Sequence, residues 1–497
     1  MTLKKIILAG VSFLTFFLSV AQEHPKREFR GAWLSTIWQS RYRTQTTEEN
    51  KAFVRRSLDY LQQNGFNAVI FQVRPQSDAF YDSPYEAWSR HLTGTAGEAP
   101  DPYWDPLAYV VSLCHERNME LHAWINPYRV TATETEQPCQ DHLYHQHPEY
   151  FLWYGGKCYF DPGRPESSDH IAKIVRDIVS RYDIDAIHMD DYFYPYPVKG
   201  ECFPDTASYR MYGGDMPIDE WRRDNVNRLV ERLQTEIKSL KPWVRFGISP
   251  FGIYRNFATW IDGSNSNGLQ NYDDLYADVL WWAEKGWVDY VMPQLYWTLQ
   301  NPPAPSEHLA RWWNRHTFGR HLYIGQDVVR TMDAPDLAKG SNQLARKIEL
   351  SRYLDAVGGN CMWHGYAVLE NYKGITDELH ENYYAYPAFI PAYTYIDDKC
   401  PDAVSSLKTV RTNYGLMLSW KSKSTKDEMQ KHIYYAVYRF DAGEPVDLSR
   451  MDALVTITRN TAYLLPYADG TRKYIYVVTA FDRVHNESEP KQITVKL

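Results

Sequence analysis

The sequence predicts an α/β fold, a (β/α)8 TIM barrel followed by a small all-β sandwich domain. Across residues 22–386, eight short apolar segments alternate with amphipathic segments of helical period, which is typical of parallel βαβ units. Eight strands that are each followed by a helix can close into a barrel. From about residue 397 the helical period disappears and apolar residues recur at every second position. A doubly wound open sheet would also alternate, but no Gly-rich phosphate loop follows the first strand, where that fold usually carries one.

The elements of the barrel follow from this alternation in chain order. The predicted strands are 29–36, 68–75, 121–129, 186–195, 245–254, 290–297, 321–328 and 359–369. The predicted helices are 48–64, 106–117, 167–182, 218–240, 273–285, 307–316 and 341–356, and a further helix near 375–381 covers the last strand. Gly65 stands where the helix at 48–64 needs a left-handed C-cap.

The first 21 residues have the pattern of a signal peptide. Lys4 and Lys5 form a positive region, residues 6–20 are apolar, and residues 19–21 (SVA) fit a small-x-small cleavage site. An uncleaved membrane anchor is the alternative, but the apolar run is short for a bilayer span. No cysteine follows the cleavage site and no later segment is apolar for long enough to span a membrane. We therefore expect an exported protein, periplasmic or extracellular, that is not lipid-anchored.

The C-terminal part has a different texture. Residues 387–396 are predicted to be a linker, and residues 397–497 a β-sandwich with strands near 415–420, 433–439 and 474–480. The Leu-Ser-Trp strand at 418–420 makes this part similar to a fibronectin type III module. Its partner is not predicted.

Composition limits the partners and cofactors. The net charge is −8 and the 54 Lys and Arg residues are scattered, so the sequence offers no basic surface for nucleic acid. No cysteines or histidines have zinc-ligand spacing, and we expect neither a metal nor another cofactor. The histidines within 142–147 are interpreted as a solvated loop. Cys139 and Cys158 flank one loop, and both a disulfide and two free thiols remain open.

Strand alternation indicates which side chains enter the barrel. In the fourth strand Ile187 and Met189 are apolar and should face the helices, so that His188 and Asp190 point inward. The same test places further polar side chains inside the barrel, namely Gln72, Arg74, Asn126, Ser249, Gln294 and Tyr296. Buried polar groups need hydrogen-bond partners. The polar side chains of any one strand could find such partners within the core and have no functional role. Because several strands agree, the pattern predicts a site at the C-terminal ends of the strands.

Asp190 and Asp191 are the candidate catalytic residues with the clearest signal. Glycosidic cleavage needs one acid that protonates the leaving oxygen and one carboxylate that attacks or stabilises the sugar cation. Asp190 is the predicted nucleophile or stabiliser, and Asp191 a neighbour that raises its pKa. Asp327, across the barrel mouth, is the predicted acid, with Asp78 and Glu370 as alternatives. Magnesium binding and a structural role for the pair remain open.

Aromatic residues near the predicted strand ends are candidate sugar platforms, although each would also suit a core. They are Trp38, Tyr128, Tyr192, Tyr296 and Trp297. The full set predicted to bind substrate is Arg74, Asp78, Asn126, Tyr128, His188, Gln294, Tyr296 and Trp297.

Five motifs occur in an order that resembles a known family. They are FRGAWLST at 29–36, QVRP at 72–75 with Asp78-Ala79, AWINPYR at 123–129, IHMDDYFYP at 187–195 and MPQLYW at 292–297. Together, over about residues 27–340, they resemble the glycosyl-hydrolase-like family ten proteins of bacteria. The resemblance implies an exported or lipid-anchored TIM barrel, and in some members a glycosidase that cuts peptidoglycan glycan strands stripped of their peptides. Asp190 falls where distant barrel glycosidases place a catalytic aspartate.

The sequence therefore predicts a glycosidase that acts on a polysaccharide or other glycan. Two alternatives stay open. The first is a carbohydrate-binding or scaffold protein without turnover, and the second is a metal-dependent hydrolase at Asp190 and Asp191.

Overall fold

The computed structural model describes residues 24–37, 39–334, 342–467 and 470–497. The predicted signal peptide, residues 1–21, lies outside the described residues. Eight parallel strands form a closed barrel in the order β1-β10-β9-β8-β7-β6-β3-β2. These strands are β1 (Phe29–Leu34), β2 (Ala68–Arg74), β3 (Glu120–Ile125), β6 (Ala186–Met189), β7 (Arg245–Ile248), β8 (Tyr290–Val291), β9 (His321–Asp327) and β10 (Val357–Trp363). A hairpin of β4 (Phe151–Tyr154) and β5 (Lys157–Phe160) follows β3. The predicted TIM barrel is confirmed.

Helices cover the outside of the barrel. They are α1 (Ser40–Thr44), α2 (Thr47–Gln63), α3 (Arg90–Thr93), α4 (Pro106–Glu116), α5 (Pro165–Arg181), α6 (Thr206–Tyr212), α7 (Ile218–Leu240), α8 (Asn271–Asp274), α9 (Val279–Lys285), α10 (Ser306–Asn314), α11 (Val328–Asp333), α12 (Gln343–Tyr353), α13 (Gly365–Leu369) and α14 (Ile375–Glu378). The long ones match the predicted helices. The short helices α1, α3, α6 and α11 were not predicted, since one or two turns show too little periodicity, and α13 corrects the predicted strand 359–369, which ends at Trp363.

Local signals explain where individual helices begin and end. At the start of α2 the Thr46 hydroxyl accepts a hydrogen bond from the Glu49 N–H, and the Glu49 carboxylate accepts one from the Thr46 N–H. After α2, Gly65 adopts a φ of +81°, as predicted, and a Cβ at this position would stand 2.7 Å from the Tyr384 carbonyl oxygen. Pro106 begins α4 behind an Asp105 cap. Gly65 therefore both ends α2 and allows the backbone at Tyr384 to pack closely against it.

Strand alternation divides the barrel into two apolar layers. Side chains between strands and helices include Val69, Phe71, Ile187 and Met189, as predicted. The barrel interior is filled by a second cluster that includes Phe29, Trp33, Ile70, Trp124, Tyr290, Met292 and Tyr323. The interior is thus a packed core, and a cavity opens only where the strands end.

Two antiparallel sheets follow the barrel and form a β-sandwich-like region. One has the order β11-β12-β15 and the other β14-β13-β16-β17. Their strands are β11 (Ser405–Thr412), β12 (Gly415–Lys421), β13 (Tyr434–Asp441), β14 (Leu454–Thr458), β15 (Ala462–Leu464), β16 (Lys473–Phe481) and β17 (Lys491–Lys496). The predicted linker, residues 387–396, is packed against the rest of the protein, because Phe389, Ile390 and Tyr393 are buried. Ile390, Tyr393 and Val484 join the interior cluster of the barrel.

Candidate active site

A cavity of about 510 Å³ lies at the C-terminal ends of the barrel strands. Residues from nearly every strand end or the loop behind it contribute to its walls. They are Trp33, Ser35, Ile37, Gln39, Gln72, Trp124, Arg129, Asp190, Asp191, Tyr192, Tyr196, Ser249, Phe251, Gln294, Tyr296, Trp297, Arg330, Trp363 and His364. This is the face where barrel enzymes hold their substrates.

Asp190 follows β6 and is held by three donors. Trp124 Nε1 donates to Asp190 Oδ2 at 3.0 Å, and Asn126 Nδ2 donates to both carboxylate oxygens at 3.1 and 3.2 Å. The backbone N–H of Tyr192 donates to Oδ1 at 3.3 Å. Burial raises the pKa of Asp190, while the Arg129 charge and these hydrogen bonds oppose the rise by favouring the carboxylate. The result is a fixed, desolvated group whose anionic form is hydrogen-bonded.

Asp191 is buried in a different environment. The Tyr196 hydroxyl donates to Asp191 Oδ2, and Gln294 Nε2 donates to Oδ1 at 3.1 Å. Burial and the neighbouring Asp190 charge raise the pKa of Asp191 to about 6, against 3.8 for an ordinary aspartate. Gln294 is itself held by the Ser249 carbonyl oxygen, which accepts its Nε2–H at 3.0 Å. Burial therefore raises the pKa of both adjacent carboxyls, but their surroundings differ: N–H donors and the Arg129 charge oppose the rise at Asp190, and the Asp190 charge adds to it at Asp191.

Aromatic side chains form the wall next to Asp190. The Trp363 ring lies 6.1 Å from Trp124 and 6.4 Å from Trp33, both edge to face. On its other side Trp363 stacks with Tyr296 at 6.4 Å and an interplanar angle of 12°. Such faces suit the apolar side of a sugar ring. Further out, Arg129 lies 4.9 Å above the Tyr192 ring.

Two polar atoms of lining residues are buried without a hydrogen-bond partner among the described residues. They are Gln72 Nε2 and His364 Nδ1. The oxygen of the same Gln72 amide accepts from the backbone N–H groups of Thr36 and Ile37 at 3.0 and 3.1 Å, which fixes the amide. Both atoms have almost no exposed surface, so they lie behind the cavity wall and do not face a ligand.

A chain of hydrogen bonds runs down the barrel axis below the cavity. Trp33 Nε1 donates to His188 Nε2 at 3.2 Å, and His188 Nδ1 lies 2.9 Å from the Tyr290 hydroxyl. That hydroxyl lies 2.8 Å from His122 Nδ1, and His122 Nε2 lies 2.9 Å from Glu120 Oε2. Because His188 Nε2 accepts, each later group can donate to the next one down. Burial lowers the pKa of His188 well below its ordinary value, which keeps the ring neutral.

The chain ends at a buried ion cluster that includes the C-terminal region. Burial would raise the pKa of Glu120, but the charges of Arg245 and His485 hold it well below its ordinary value. Arg245 donates to Glu120 Oε1, and His485 Nε2 lies 2.5 Å from the same oxygen. His485 lies just after β16, so the β-sandwich region is joined to the barrel core through this carboxylate.

The structure brings most of the predicted inward residues to this region, though not all to the cavity. Asp190, Asp191, Tyr192, Ser249, Gln294, Tyr296 and Trp297 line it, as does Gln72. Asn126 supports Asp190 from behind, and His188 lies one layer below. Trp38 lies outside the described residues.

Other predicted site residues lie elsewhere, each for a physical reason. A register shift between Gln72 and Arg74 displaces Arg74, which pairs with the buried Glu86 at 2.6 Å. Tyr128 is fully buried in the layer between strands and helices. Asp78 accepts from the Gln76 N–H at 3.1 Å within its own loop.

The predicted general acid also lies outside the cavity that Asp190 and Asp191 line. Asp327 caps α11, where its Oδ1 accepts from the Arg330 N–H at 2.9 Å, and it lines a separate depression. Its alternative Glu370 is an exposed residue at the end of α13. The cavity walls formed by the described residues contain two carboxylates, Asp190 and Asp191.

Several lining residues were missed by the sequence reasoning. Trp33 and Trp124 each stand between two outward apolar residues, so the alternation used for the polar positions would have found them, whereas Trp363 ends its strand and is followed by His364. Tyr196 lies in the loop after β6, where no periodic signal exists. Cys139 and Cys158 are free thiols.

In residues 24–37, 39–334, 342–467 and 470–497, no group of three or more His, Cys, Asp or Glu side chains is arranged to hold a metal ion. Within the same ranges, no helix has both the length and the apolar content needed to cross a membrane.

A closed parallel barrel with two carboxylates and an aromatic wall at its C-terminal mouth defines a glycosidase-type TIM barrel. The chain belongs to the family described as Glycosyl hydrolase-like 10, whose model matches residues 28–339. It is 39% identical to "Glycosyl hydrolase YngK" of Bacillus subtilis strain 168, over 99% of both chains. It is 36% identical to "Glycosyl hydrolase DigH" of Escherichia coli K12, over 69% of this chain and 84% of that one. Among solved structures, the PgaB (BpsB) glycoside hydrolase domain from Bordetella bronchiseptica is similar over 72% of this chain and 99% of that one, with 10% identity and a TM-score of 0.47.

Proposed function

We propose that the protein is an exported glycosidase that hydrolyses a bacterial polysaccharide in this cavity, with Asp190 and Asp191 as the catalytic pair. The observation that carries the proposal is that both carboxyls line one cavity but stand in different environments. Pairs of acidic groups whose surroundings push their pKa values apart are the usual basis for acid and base roles. A raised pKa alone would not suffice without a cavity that a substrate can enter.

Asp191 is the better proton donor of the two. Its pKa of about 6 leaves part of the population protonated near neutral pH, and it faces the cavity directly. Asp191 would give its proton to the leaving glycosidic oxygen as the bond to the anomeric carbon breaks. This assignment replaces Asp327, whose side chain is committed to capping α11.

Asp190 carries the negative charge that the reaction needs. The N–H groups of Trp124, Asn126 and Tyr192 stabilise its ionised form, so it can stabilise positive charge that develops on the sugar. Because these N–H groups already point at Asp190, they need not reorient when positive charge develops on the sugar.

The remaining walls suit a sugar polymer. Trp363 and Tyr296 offer aromatic faces, and Arg129, Ser249 and Gln294 are polar side chains in the same cavity walls. The family resemblance of the motifs is the ground for choosing peptide-stripped peptidoglycan glycan strands as the first substrate to test. The signal-peptide pattern of residues 1–21 supports export, which N-terminal sequencing of the mature protein would check.

The test compares wild type with Asp190→Asn, Asp191→Asn and Asp327→Asn on peptide-free peptidoglycan glycan and a polysaccharide panel. We expect new reducing ends from wild type and a loss of about three orders of magnitude in kcat for the first two variants. Asp327→Asn is the matched control, because asparagine also caps a helix and activity should stay within about twofold.

Three results would contradict the proposal in different ways. Glycan binding without new reducing ends would indicate a binding or scaffold protein. Inactivation by a chelator, reversed by added metal, would indicate a metal-dependent hydrolase. A large loss in Asp327→Asn with little loss in Asp191→Asn would overturn the assignment of the acid.

A further inference from the structure

We propose that the 2-acetamido group of the reacting sugar supplies the nucleophile, so that its carbonyl oxygen, and not Asp190, attacks the anomeric carbon. Asp190 would hold and orient the acetamido N–H, and Asp191 would protonate the leaving oxygen. This inference rests on the proposed function, whose first test substrate carries 2-acetamido groups, and specifies the nucleophile.

The first argument is the position of the two carboxyls. Glycosidases that use two carboxylates usually place them on opposite sides of the scissile bond. Asp190 and Asp191 are consecutive, so their Cα atoms are about 3.8 Å apart and both side chains leave the same wall, at the end of β6. The other walls of the cavity, as formed by the described residues, supply no carboxylate. A nucleophile on the opposite side of the sugar must then come from water or from the substrate.

The second argument is how fully Asp190 is already bonded. A carboxylate has about four lone-pair sites, and three donor atoms reach Asp190: Trp124 Nε1, Asn126 Nδ2, which is shared between the two oxygens, and the Tyr192 N–H. One site is left over, which suits a single further N–H donor. A nucleophilic carboxylate would instead have to give up these bonds to approach the anomeric carbon. An acetamido N–H satisfies the remaining site without any such movement.

The third argument is the shape of the wall beside Asp190. Trp33, Trp124 and Trp363 line the same cavity as Asp190, and the Trp363 ring centroid lies 6.1 Å from that of Trp124 and 6.4 Å from that of Trp33. Trp124 both donates to Asp190 and lines the cavity, so an apolar surface adjoins the acceptor directly. An acetamido group has the same pairing, a methyl group beside an N–H. A sugar with a 2-hydroxyl would leave the apolar surface uncovered.

The step balances in atoms and electrons. The bond from the anomeric carbon to the leaving oxygen breaks, the Asp191 proton goes to that oxygen, and the acetamido oxygen forms a new bond to the anomeric carbon. The resulting cyclic oxazolinium ion keeps its N–H on Asp190, whose negative charge offsets the positive charge. Water then attacks the same carbon and gives its proton to Asp191, and the bond to the acetamido oxygen opens. The product keeps the configuration of the substrate.

The test uses one polymer in two chemical forms. Peptide-free glycan strands are de-N-acetylated and re-acylated with either acetyl or trifluoroacetyl groups, which differ little in size but strongly in the electron density of the carbonyl oxygen. We expect kcat/KM to fall by at least about a hundredfold with trifluoroacetyl, since an internal nucleophile contributes a large effective molarity. Proton NMR should show initial products of retained configuration.

A second measurement addresses Asp190 itself. If Asp190 were the nucleophile, Asp190→Ala with added azide would yield a glycosyl azide of inverted configuration. We expect no such product, whereas Asp191→Ala with azide should yield a glycosyl azide of retained configuration. Asp327→Asn serves as the control, with wild-type products.

The outcomes separate this inference from the proposed function. Equal cleavage of both acylated polymers, comparable cleavage of a 2-hydroxy glycan, inversion, or azide rescue of Asp190→Ala would overturn the acetamido mechanism while leaving a glycosidase. Failure to cleave any glycan would overturn both.

Discussion

Replacing Asp191 with asparagine should abolish turnover and yet stabilise the folded protein at neutral pH. The pKa of Asp191 is about 6 in the folded protein and 3.8 in an ordinary environment. Above pH 6 the group is ionised in both states, so folding carries the cost of burying that charge. The difference in pKa corresponds to about 3 kcal/mol at most.

The variant recovers only part of this energy. The asparagine side chain keeps one oxygen acceptor, but its NH₂ group faces a donor from Tyr196 or Gln294, and that mismatch costs about 1–2 kcal/mol. We therefore expect a net gain of about 1–2 kcal/mol at pH 7.5. For a chain of this size that is a rise of about 1–2 °C in Tm, from the usual unfolding entropy per residue.

The sign of the pH dependence tests the reasoning. As pH falls through 6, wild-type Asp191 takes up a proton and loses its penalty, so the advantage of Asp191→Asn should shrink, vanish near about pH 5 and reverse near about pH 4, where only the mismatch cost remains. Differential scanning calorimetry of wild type, Asp191→Asn and Asp327→Asn between pH 4 and 8 measures this. A variant that is less stable than wild type at pH 7.5, or a difference that does not depend on pH, would refute the argument.

Three further predictions follow from single contacts. Tyr196→Phe removes a hydrogen-bond donor to ionised Asp191 and so raises the pKa of this carboxyl. The alkaline limb of the pH profile of kcat/KM should therefore move up by about one pH unit. Tyr103→Phe is the control, because it loses a similar bond to the exposed Asp82 and should leave the limb in place. Glu120→Gln leaves the buried Arg245 without its carboxylate and should cost about 3–5 kcal/mol, seen as a lower Tm. Lys347→Met removes the ammonium that donates to two backbone carbonyl oxygens beside Tyr296, and KM should rise several-fold with little change in kcat.

Periodicity was sufficient to predict the barrel but not the ends of its strands. The predicted segment 186–195 contains the four-residue strand β6, and 290–297 contains the two-residue strand β8. The remaining residues of both segments form loops that line the cavity. Apolar and aromatic side chains continue into these loops, as in 192–194 and 295–297, because the loops cover the barrel mouth. The apolar pattern therefore continues beyond the last hydrogen-bonded residue of the strand and does not show where the strand ends.

The candidate site was predictable where it depends on alternation and not where it depends on distant contacts. Asp190 and Gln294 follow from the inward parity of their strands. Arg74 has the same parity, but its partner Glu86 lies in a loop whose position no local pattern fixes. Asp327 ends its strand as predicted, but its side chain turns to the adjacent helix, a local capping bond that competes with the cavity.

A raised pKa would not have identified the site by itself. Burial raises the pKa of Asp78, Asp161 and Asp482 to about 6 as well, the same value as for Asp191. Each of those three accepts a backbone N–H bond from a residue two positions away, so its role is to fix its own loop. Asp191 differs because its donors come from side chains and because it faces a cavity with room for a sugar. A buried acid is a candidate for catalysis only where a substrate can reach its proton, and among these four carboxyls that condition selects Asp191.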